Sequence, residues 1–187
     1  MLKKRIKNTH FITQYIKYDY KPSTKKEHNE LTNLIKMVYK NNEDFECILM
    51  TLGSTLSGRT TNDHSTLFLL GLGSSAKSLV LNLTSLAIEC YLAELQDNTF
   101  AYGNSKIDKI LNSFANSPFI RIAWVNEMKD VKLDESLFKI FCDGKIQTTK
   151  LYEDGQHNFS HYSKCIAIAN TMSNIKIDSG AVRRIYA

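Results

Sequence analysis

The sequence lacks the features that mark zinc proteins, secreted proteins and membrane proteins. Its four cysteines, Cys47, Cys90, Cys142 and Cys165, lie far apart and form no C-x-x-C pair, which argues against zinc and favours a reducing compartment. No apolar run approaches the roughly 20 residues that a membrane-spanning helix needs. The basic N-terminal residues are not followed by a sustained apolar stretch, so no secretory signal is predicted. We therefore expect a soluble, intracellular protein without a membrane partner.

The sequence also has no internal repeat and no low-complexity linker. Its 187 residues are enough for one hydrophobic core with a small accessory region. The proportions of hydrophobic residues (43%) and charged residues (23%) are typical of a soluble globular domain. The net charge of +5 is compatible with nucleic acid or nucleotide partners, but most mildly basic proteins bind neither. Charge alone does not decide the function.

Helical spacing characterises the first part of the chain. Residues 24–40 follow a Ser-Thr pair that can cap a helix, and their apolar side chains recur at helical intervals. A second helix is predicted over residues 44–52, ending at Gly53, and the polar residues 57–65 predict a loop. We therefore predict a small helical region over residues 1–60.

Short apolar runs alternate with helical patterns over residues 61–187. Strands are predicted at 66–70, 119–125 and 165–169, and helices at 77–95 and 105–115. Such alternation is typical of an α/β domain with a mostly parallel, helix-covered sheet. A polar cluster follows each predicted strand, and ligands of such sheets bind at the carboxyl ends of the strands. A ligand site is therefore predicted at that edge.

The first predicted strand leads into GLGSSAKS, residues 71–78. The backbone N–H groups of such a loop can surround phosphate oxygens at a helix N-terminus, while Lys77 contacts the terminal phosphates and Ser78 binds Mg²⁺. Ala76 replaces the last glycine of G-x-x-x-x-G-K-[ST], and a left-handed alanine costs about 1 kcal/mol. A plain turn with a solvated lysine is the alternative. The predicted nucleotide-binding residues are Gly71, Gly73, Ser74, Ser75, Ala76, Lys77 and Ser78.

Polar residues also follow the other two strands. Glu127 is predicted to orient the attacking water of a nucleotide hydrolase and to help hold the metal ion, whereas Asn126 stands where many such enzymes have a second carboxylate. Asn170 is predicted to hydrogen-bond the γ-phosphate or the water. Arg183 and Arg184 are candidates for stabilising charge on the nucleotide of a neighbouring subunit. Taken singly, such residues are more often loop starts, turn caps or solvated charges.

Taken in order, these segments resemble the superfamily 3 helicases, especially the helicase part of the primase-helicases of large DNA viruses of the poxvirus and mimivirus type. The likeness extends from LGSTLSG through FLLGLGSSAKSL, FIRIAWVNE and CIAIANTMSNIKID to GAVRRI, and covers roughly residues 20–187. It implies a P-loop ATPase with an AAA+-like, three-layer α/β core that uses ATP and Mg²⁺. It further implies a homo-hexameric ring that moves along single-stranded DNA, at a viral replication site or in the cytoplasm of a host cell, with a primase or another replication protein as a partner.

The resemblance also implies roles for individual residues. Lys77, Glu127 and Asn170 would be catalytic, with Ser78 and Glu127 at the metal ion. Either Arg183 or Arg184 would reach the adjacent subunit, and Arg184 is slightly favoured.

The family has a pore hairpin between the acidic residue and the asparagine. Here that segment is TTKLYEDGQHNF, residues 148–159, in which Asp-Gly is a turn signal. Lys150 and His157 would contact DNA phosphates, and Tyr152 would stack on a base. The neighbouring acids, Glu153 and Asp154, would instead repel phosphate, as expected of an ordinary surface hairpin.

Two further interpretations stay open. Ala76 and Asn126 weaken the motifs, and the sequence ends at Ala187, where family members usually continue. These features predict a degenerate or truncated module that binds nucleotide or DNA without efficient hydrolysis. The other interpretation, a small-molecule P-loop kinase, requires a lid rich in arginine, whereas residues 128–160 contain none.

Overall fold

A computed structural model describes residues 14–58, 64–71, 76–104, 111–112, 114, 116–117, 119–128, 132–149, 156–171 and 182–186. The helices are α1 (Lys25–Val38), α2 (Asn42–Thr55), α3 (Lys77–Ile88) and α4 (Glu135–Asp143). The strands are β1 (Thr66–Leu70), β2 (Leu92–Leu95), β3 (Ile122–Val125), β4 (Lys145–Thr149), β5 (Gln156–Ser160), β6 (Lys164–Ala169) and β7 (Ile185–Tyr186). In the part of the chain that is described, no helix has both the length and the apolar character needed to cross a bilayer.

A side-chain cap precedes each of the two N-terminal helices, and α2 begins at Asn42, two residues before its predicted start. Thr24 and Glu27 form a reciprocal capping box at the start of α1, in which the Thr24 N–H donates to Glu27 Oε2 at 2.7 Å. The Asn41 side chain accepts from the Glu43 N–H at 3.1 Å and caps α2. α2 continues through Gly53 rather than ending there, because one glycine costs a helix interior only about 1 kcal/mol.

A five-stranded parallel sheet forms the centre of the fold, with the order β2–β3–β6–β1–β7. The predicted strands at 66–70 and 165–169 are confirmed. The strand predicted at 119–125 is shorter in the structure, where Ile122–Val125 pair in register with Leu92–Leu95 of β2. All residues of β3 and β6 are buried, as expected for central strands covered on both faces. The prediction of an α/β fold with a parallel sheet is confirmed.

The helix predicted over residues 77–95 is wrong in its last third. α3 ends at Ile88, since Glu89 adopts φ 44° and ψ −111°, which no helix can continue. A 3₁₀ turn at Glu89–Tyr91 then leads into β2, which pairs with β3 from Leu92 to Leu95. The residues of β2 have ordinary helix propensity, and pairing with a buried strand overrides that propensity. Of the helix predicted at 105–115, the described residues 111–112 and 114 are helical.

Alternating strand residues pack into two hydrophobic clusters, one on each face of the sheet. On one face, Phe68 and Val125 pack with α4 and with an edge-to-face group of aromatic rings that includes Phe100, Phe114 and Phe141. On the other face, the cluster comprises Ile35 of α1, Ile48 of α2, Val80 and Leu81 of α3, and Leu67, Leu69, Ile122, Trp124, Ile166 and Ile168 of the sheet. Helices therefore cover both faces, and α1 to α3 share one of them.

The predicted hairpin forms an antiparallel strand pair. β4 and β5 pair from Lys145 opposite Ser160 to Thr149 opposite Gln156, and residues 150–155 lie outside the described chain. His161 fixes the base of the hairpin to α4: its Nε2 donates to the Phe141 carbonyl at 2.9 Å and its Nδ1 lies 2.7 Å from Ser163 Oγ. Burial lowers the pKa of His161 to about 4, so this imidazole is neutral near pH 7.

Candidate functional site

The two described ends of the loop after β1 have backbone conformations with positive φ. Gly71 follows β1 with φ 152°, and Ala76 precedes α3 with φ 57° and ψ 18°, which is left-handed. A glycine would adopt either conformation without strain, whereas Ala76 carries a penalty of about 1 kcal/mol. The predicted residues Gly73, Ser74 and Ser75 lie outside the described chain. The alanine therefore occupies a position that favours glycine, as the motif expects.

Lys77 lies at the first position of α3 and is buried, with 8% of its surface exposed. Its Nζ donates to the Gly71 carbonyl oxygen at 2.6 Å, so the ammonium bridges the two ends of the loop. Ala76 supplies no side-chain cap to α3. A positively charged side chain and an uncapped helix N-terminus together favour an anion at this loop. Ser78 is half-buried at the next helical position.

Glu127 lies just beyond the carboxyl end of β3 and is exposed to solvent. Its φ of 60° is unusual for a residue with a long side chain, and such conformations cost of order 1–3 kcal/mol. The next residue holds this turn in place, because the Met128 N–H donates to the Ile168 carbonyl of β6 at 2.7 Å. Non-glycine residues in this conformation cluster at active sites. The strain therefore favours a functional role for Glu127.

Strand register brings Asn170 to the same edge. Ala169 pairs with Leu70, so Asn170 and Gly71 each follow the last residue of adjacent parallel strands. β6 also pairs with β3, and adjacent strands lie about 4.8 Å apart. The segments that carry Lys77, Glu127 and Asn170 therefore converge at the carboxyl edge of the sheet. Both Glu127 and Asn170 are exposed there.

The two arginines are held differently. Arg184 donates two hydrogen bonds from Nη2 to Asp143, at 2.9 Å to Oδ1 and 3.1 Å to Oδ2. Its Nε donates to Asp143 Oδ1 at 3.1 Å. Arg183 is exposed. Because Ile185 of β7 pairs with Thr66, the first residue of β1, both arginines lie at the amino edge of the sheet, away from Gly71. Both arginines therefore lie at the opposite edge of the sheet from the loop that follows β1.

Of the three predicted DNA-contacting residues, only one lies in the described chain. His157 is in β5, opposite Thr148, whereas Lys150 and Tyr152 lie in the segment between β4 and β5 that the described ranges omit. The prediction of DNA contact by these residues stays a prediction.

The polar residues that follow β2 were not predicted from the sequence. A cavity of about 560 Å³ lies at the carboxyl end of this strand, lined by Glu94, Leu95, Gln96, Asp97, Asn98 and Asn126. It brings Asp97 into the same concave surface as Asn126, the residue that stands where a second carboxylate was expected. The missed signal is the polar run QDNT directly after LAEL, which the predicted long helix concealed.

The predicted metal ligands are Ser78 and Glu127. Within the described ranges, no group of three or more His, Cys, Asp or Glu side chains is arranged to hold a metal ion. Mg²⁺ is commonly held by one or two protein oxygens together with water and substrate phosphates. Metal binding by Ser78 and Glu127 stays a prediction.

No protein-family model and no curated protein matches the sequence. The fold is similar to that of the NrS-1 C-terminal region. The apo structure of residues 305–718 of that protein gives a TM-score of 0.56 at 14% identity, over 83% of this chain and 37% of that chain. An A-form apo structure of the same region gives 0.57 at 14% identity, over 83% and 36%. This chain thus spans little more than a third of those structures, and the likeness concerns the fold alone.

Proposed function

We propose that this chain is the ATP-hydrolysing motor of a superfamily 3 type DNA helicase with an AAA+-like core. The observation that carries the proposal is the placement of GLGSSAKS between a central parallel strand and a helix. Its left-handed Ala76 and its buried Lys77 lie at the same sheet edge as Glu127 and Asn170. The likeness to the NrS-1 C-terminal region supports the fold on which the proposal rests.

Each residue has a defined task in this proposal. Lys77 exchanges the Gly71 carbonyl for the β- and γ-phosphates of ATP, while the N–H groups at the start of α3 contact the phosphate oxygens. Ser78 and Glu127 hold Mg²⁺, which neutralises phosphate charge when bound. Glu127 also orients and polarises the attacking water, and Asn170 hydrogen-bonds the γ-phosphate. The proposal needs no cofactor other than ATP and Mg²⁺.

The arginine that acts in trans is Arg183 in this proposal. Asp143 engages the Arg184 guanidinium on two nitrogens, whereas Arg183 is exposed on the adjacent position. An exposed arginine can reach a neighbouring subunit without breaking an ion pair. This assignment requires a closed ring of identical subunits, for which a hexamer is proposed from the family resemblance.

Single-stranded DNA is the proposed substrate along which the motor moves. The hairpin of β4 and β5 would contact it through Lys150, Tyr152 and His157, and the bond from His161 to Phe141 would transmit force from the hairpin to α4. A primase or another replication protein is the proposed partner of the motor.

The test is ATP hydrolysis by the purified chain, with and without single-stranded DNA. We expect DNA-stimulated turnover that Lys77→Ala and Glu127→Gln abolish. Lys26→Ala is the matched control, because Lys26 is exposed on α1. ATP turnover that persists in both site variants would contradict the proposal.

A second candidate is a degenerate module that binds nucleotide or DNA without efficient hydrolysis. The strained Ala76 and the neutral amide of Asn126 favour it. It predicts ATP binding that depends on Lys77, without turnover at any concentration of DNA. Equilibrium binding of a fluorescent ATP analogue, measured beside turnover, distinguishes the two candidates.

A further inference from the structure

A second concave site lies at the opposite edge of the sheet, before the first residues of β2 and β3. This cavity of about 440 Å³ is lined by Tyr15, Leu56, Ile88, Tyr91 and Arg121, among others. Its volume is within the range of small-molecule sites. Arg121 immediately precedes the four residues of β3 and Glu127 lies beyond its carboxyl end, so at least about 13 Å of strand separates the cavity from the carboxyl edge. It is therefore separate from the phosphate loop.

The wall formed by the N-terminal segment is anchored in place. The Tyr91 hydroxyl donates to the Gln14 carbonyl at 2.9 Å, and the Tyr18 hydroxyl donates to the Ala87 carbonyl. Tyr91 itself packs edge-to-face on Phe119, with ring centroids 6.2 Å apart. The floor of the cavity is thus a fixed aromatic and aliphatic surface, to which Ile88 also contributes.

Arg121 supplies one positive charge to this surface. Among the described residues, none forms a hydrogen bond or ion pair with its side chain, and no carboxylate lines the cavity. The guanidinium instead packs on the backbone of Gly58, where a Cβ would lie 3.1 Å from Cζ. Gly58 has φ 66°, a conformation that glycine adopts without strain. The close approach places the arginine at the cavity, and a partly buried charge favours an anionic partner.

The N-terminal residues cannot neutralise Arg121, because residues 1–13 contain Lys3, Lys4, Arg5 and Lys7 and no acid. We infer that the cavity binds a small organic anion, in which a carboxylate or phosphate group is attached to a ring. The anion would pair with the guanidinium, and the ring would pack against Tyr91 and Ile88. The inference does not depend on the proposed ATPase activity.

The test is isothermal titration calorimetry of the full chain with phenyl phosphate and with benzoate. Two control probes carry only one of the two groups: inorganic phosphate has the anion, and benzyl alcohol has the ring. We expect phenyl phosphate or benzoate to bind at least ten-fold more tightly than either partial probe. Arg121→Met should weaken that binding at least ten-fold, and Arg121→Lys should weaken it less. Lys77→Ala should leave it unchanged, because the phosphate loop is at the other edge.

Two matched leucine-to-aspartate substitutions test the inference if the Arg121 variants fold poorly. Leu56 and Leu86 are both exposed, at 67% and 75%, but only Leu56 lines the cavity. Leu56→Asp should therefore weaken binding, and Leu86→Asp should not. Four outcomes would each overturn the inference. The first three are that the parent chain binds neither probe, that Arg121→Met binds as tightly as the parent, and that Lys77→Ala abolishes binding. The fourth is that Leu56→Asp and Leu86→Asp have equal effects.

Discussion

Particular polar residues at the two edges of the parallel sheet have different surroundings. At the amino edge, Lys164 is buried and donates to Ser65, and Arg184 is paired with Asp143, whereas Arg183 is exposed. At the carboxyl edge, Glu127 and Asn170 are exposed at strand ends. Paired charges hold strands and helices together, whereas exposed polar groups at strand ends are available to a ligand. The contrast separates the residues proposed for catalysis from Lys164, Arg184 and Asp143, whose contacts support the fold.

The largest expected effect is on catalysis at the carboxyl edge. Lys77→Ala removes the ammonium that bridges the loop, and we expect ATP turnover to fall by about 10²–10³-fold, as for loss of a preorganised group that stabilises transition-state charge. Steady-state phosphate release measures this effect. The control at the amino edge is Arg184→Lys, which should alter the melting temperature more than the turnover measured well below it. Equal loss of turnover in both variants would remove the distinction between the edges.

The pH dependence of stability tests the buried imidazole beneath the hairpin. Burial lowers the pKa of His161 from its ordinary value of 6.5 to about 4. Between these values the unfolded chain binds a proton that the folded chain excludes, so stability is lost as the pH falls from 6.5 towards 4. The full effect is up to about 3 kcal/mol, and urea unfolding across this pH range measures it. His161→Gln should flatten the curve, while His28→Gln, at an exposed position of α1, should not.

The ion pair at the amino edge should contribute less. Asp143→Asn removes the charge that Arg184 contacts and that His64 Nδ1 approaches at 3.4 Å. Because both side chains are partly exposed, we expect the free energy of unfolding to fall by about 1–2 kcal/mol. Urea denaturation measures the loss. Glu135→Gln, which removes the longer contact of 3.8 Å with the partly exposed Lys139, should cost less than 1 kcal/mol. If both variants cost the same, Arg184 is not held as its geometry indicates.

Local patterns along the chain were enough to predict much of this fold. The capping pair at Thr24, the apolar run of β1 and the glycines around it are short-range signals, and each led to the correct element. β2 was missed because its four residues become a strand only through pairing with β3, about thirty positions away. The contact from Arg184 to Asp143 joins residues 41 positions apart, and no local pattern encodes it. The sequence alone therefore did not show which of Arg183 and Arg184 is paired with Asp143.

The smallest effect concerns the loop alanine and compares two positions in one segment. Ala76 is left-handed at the start of α3, whereas Ala87 lies inside the same helix. Glycine at position 76 relieves the cost of positive φ but gives the unfolded chain more freedom, so Ala76→Gly should change stability by less than about 1 kcal/mol, in either direction.

Ala87→Gly should instead cost about 0.5–1 kcal/mol, because it gains the same freedom without relieving any strain. Differential scanning calorimetry of the two variants measures the difference. Because both variants exchange alanine for glycine, the difference in their stability reports the cost of the left-handed backbone conformation at position 76. Ala76→Gly should also raise ATP affinity if the strained alanine limits closure of the loop on phosphate. Equal destabilisation by the two substitutions would show that the conformation at position 76 carries no strain, and that Ala76 is then no reason to regard the loop as degenerate.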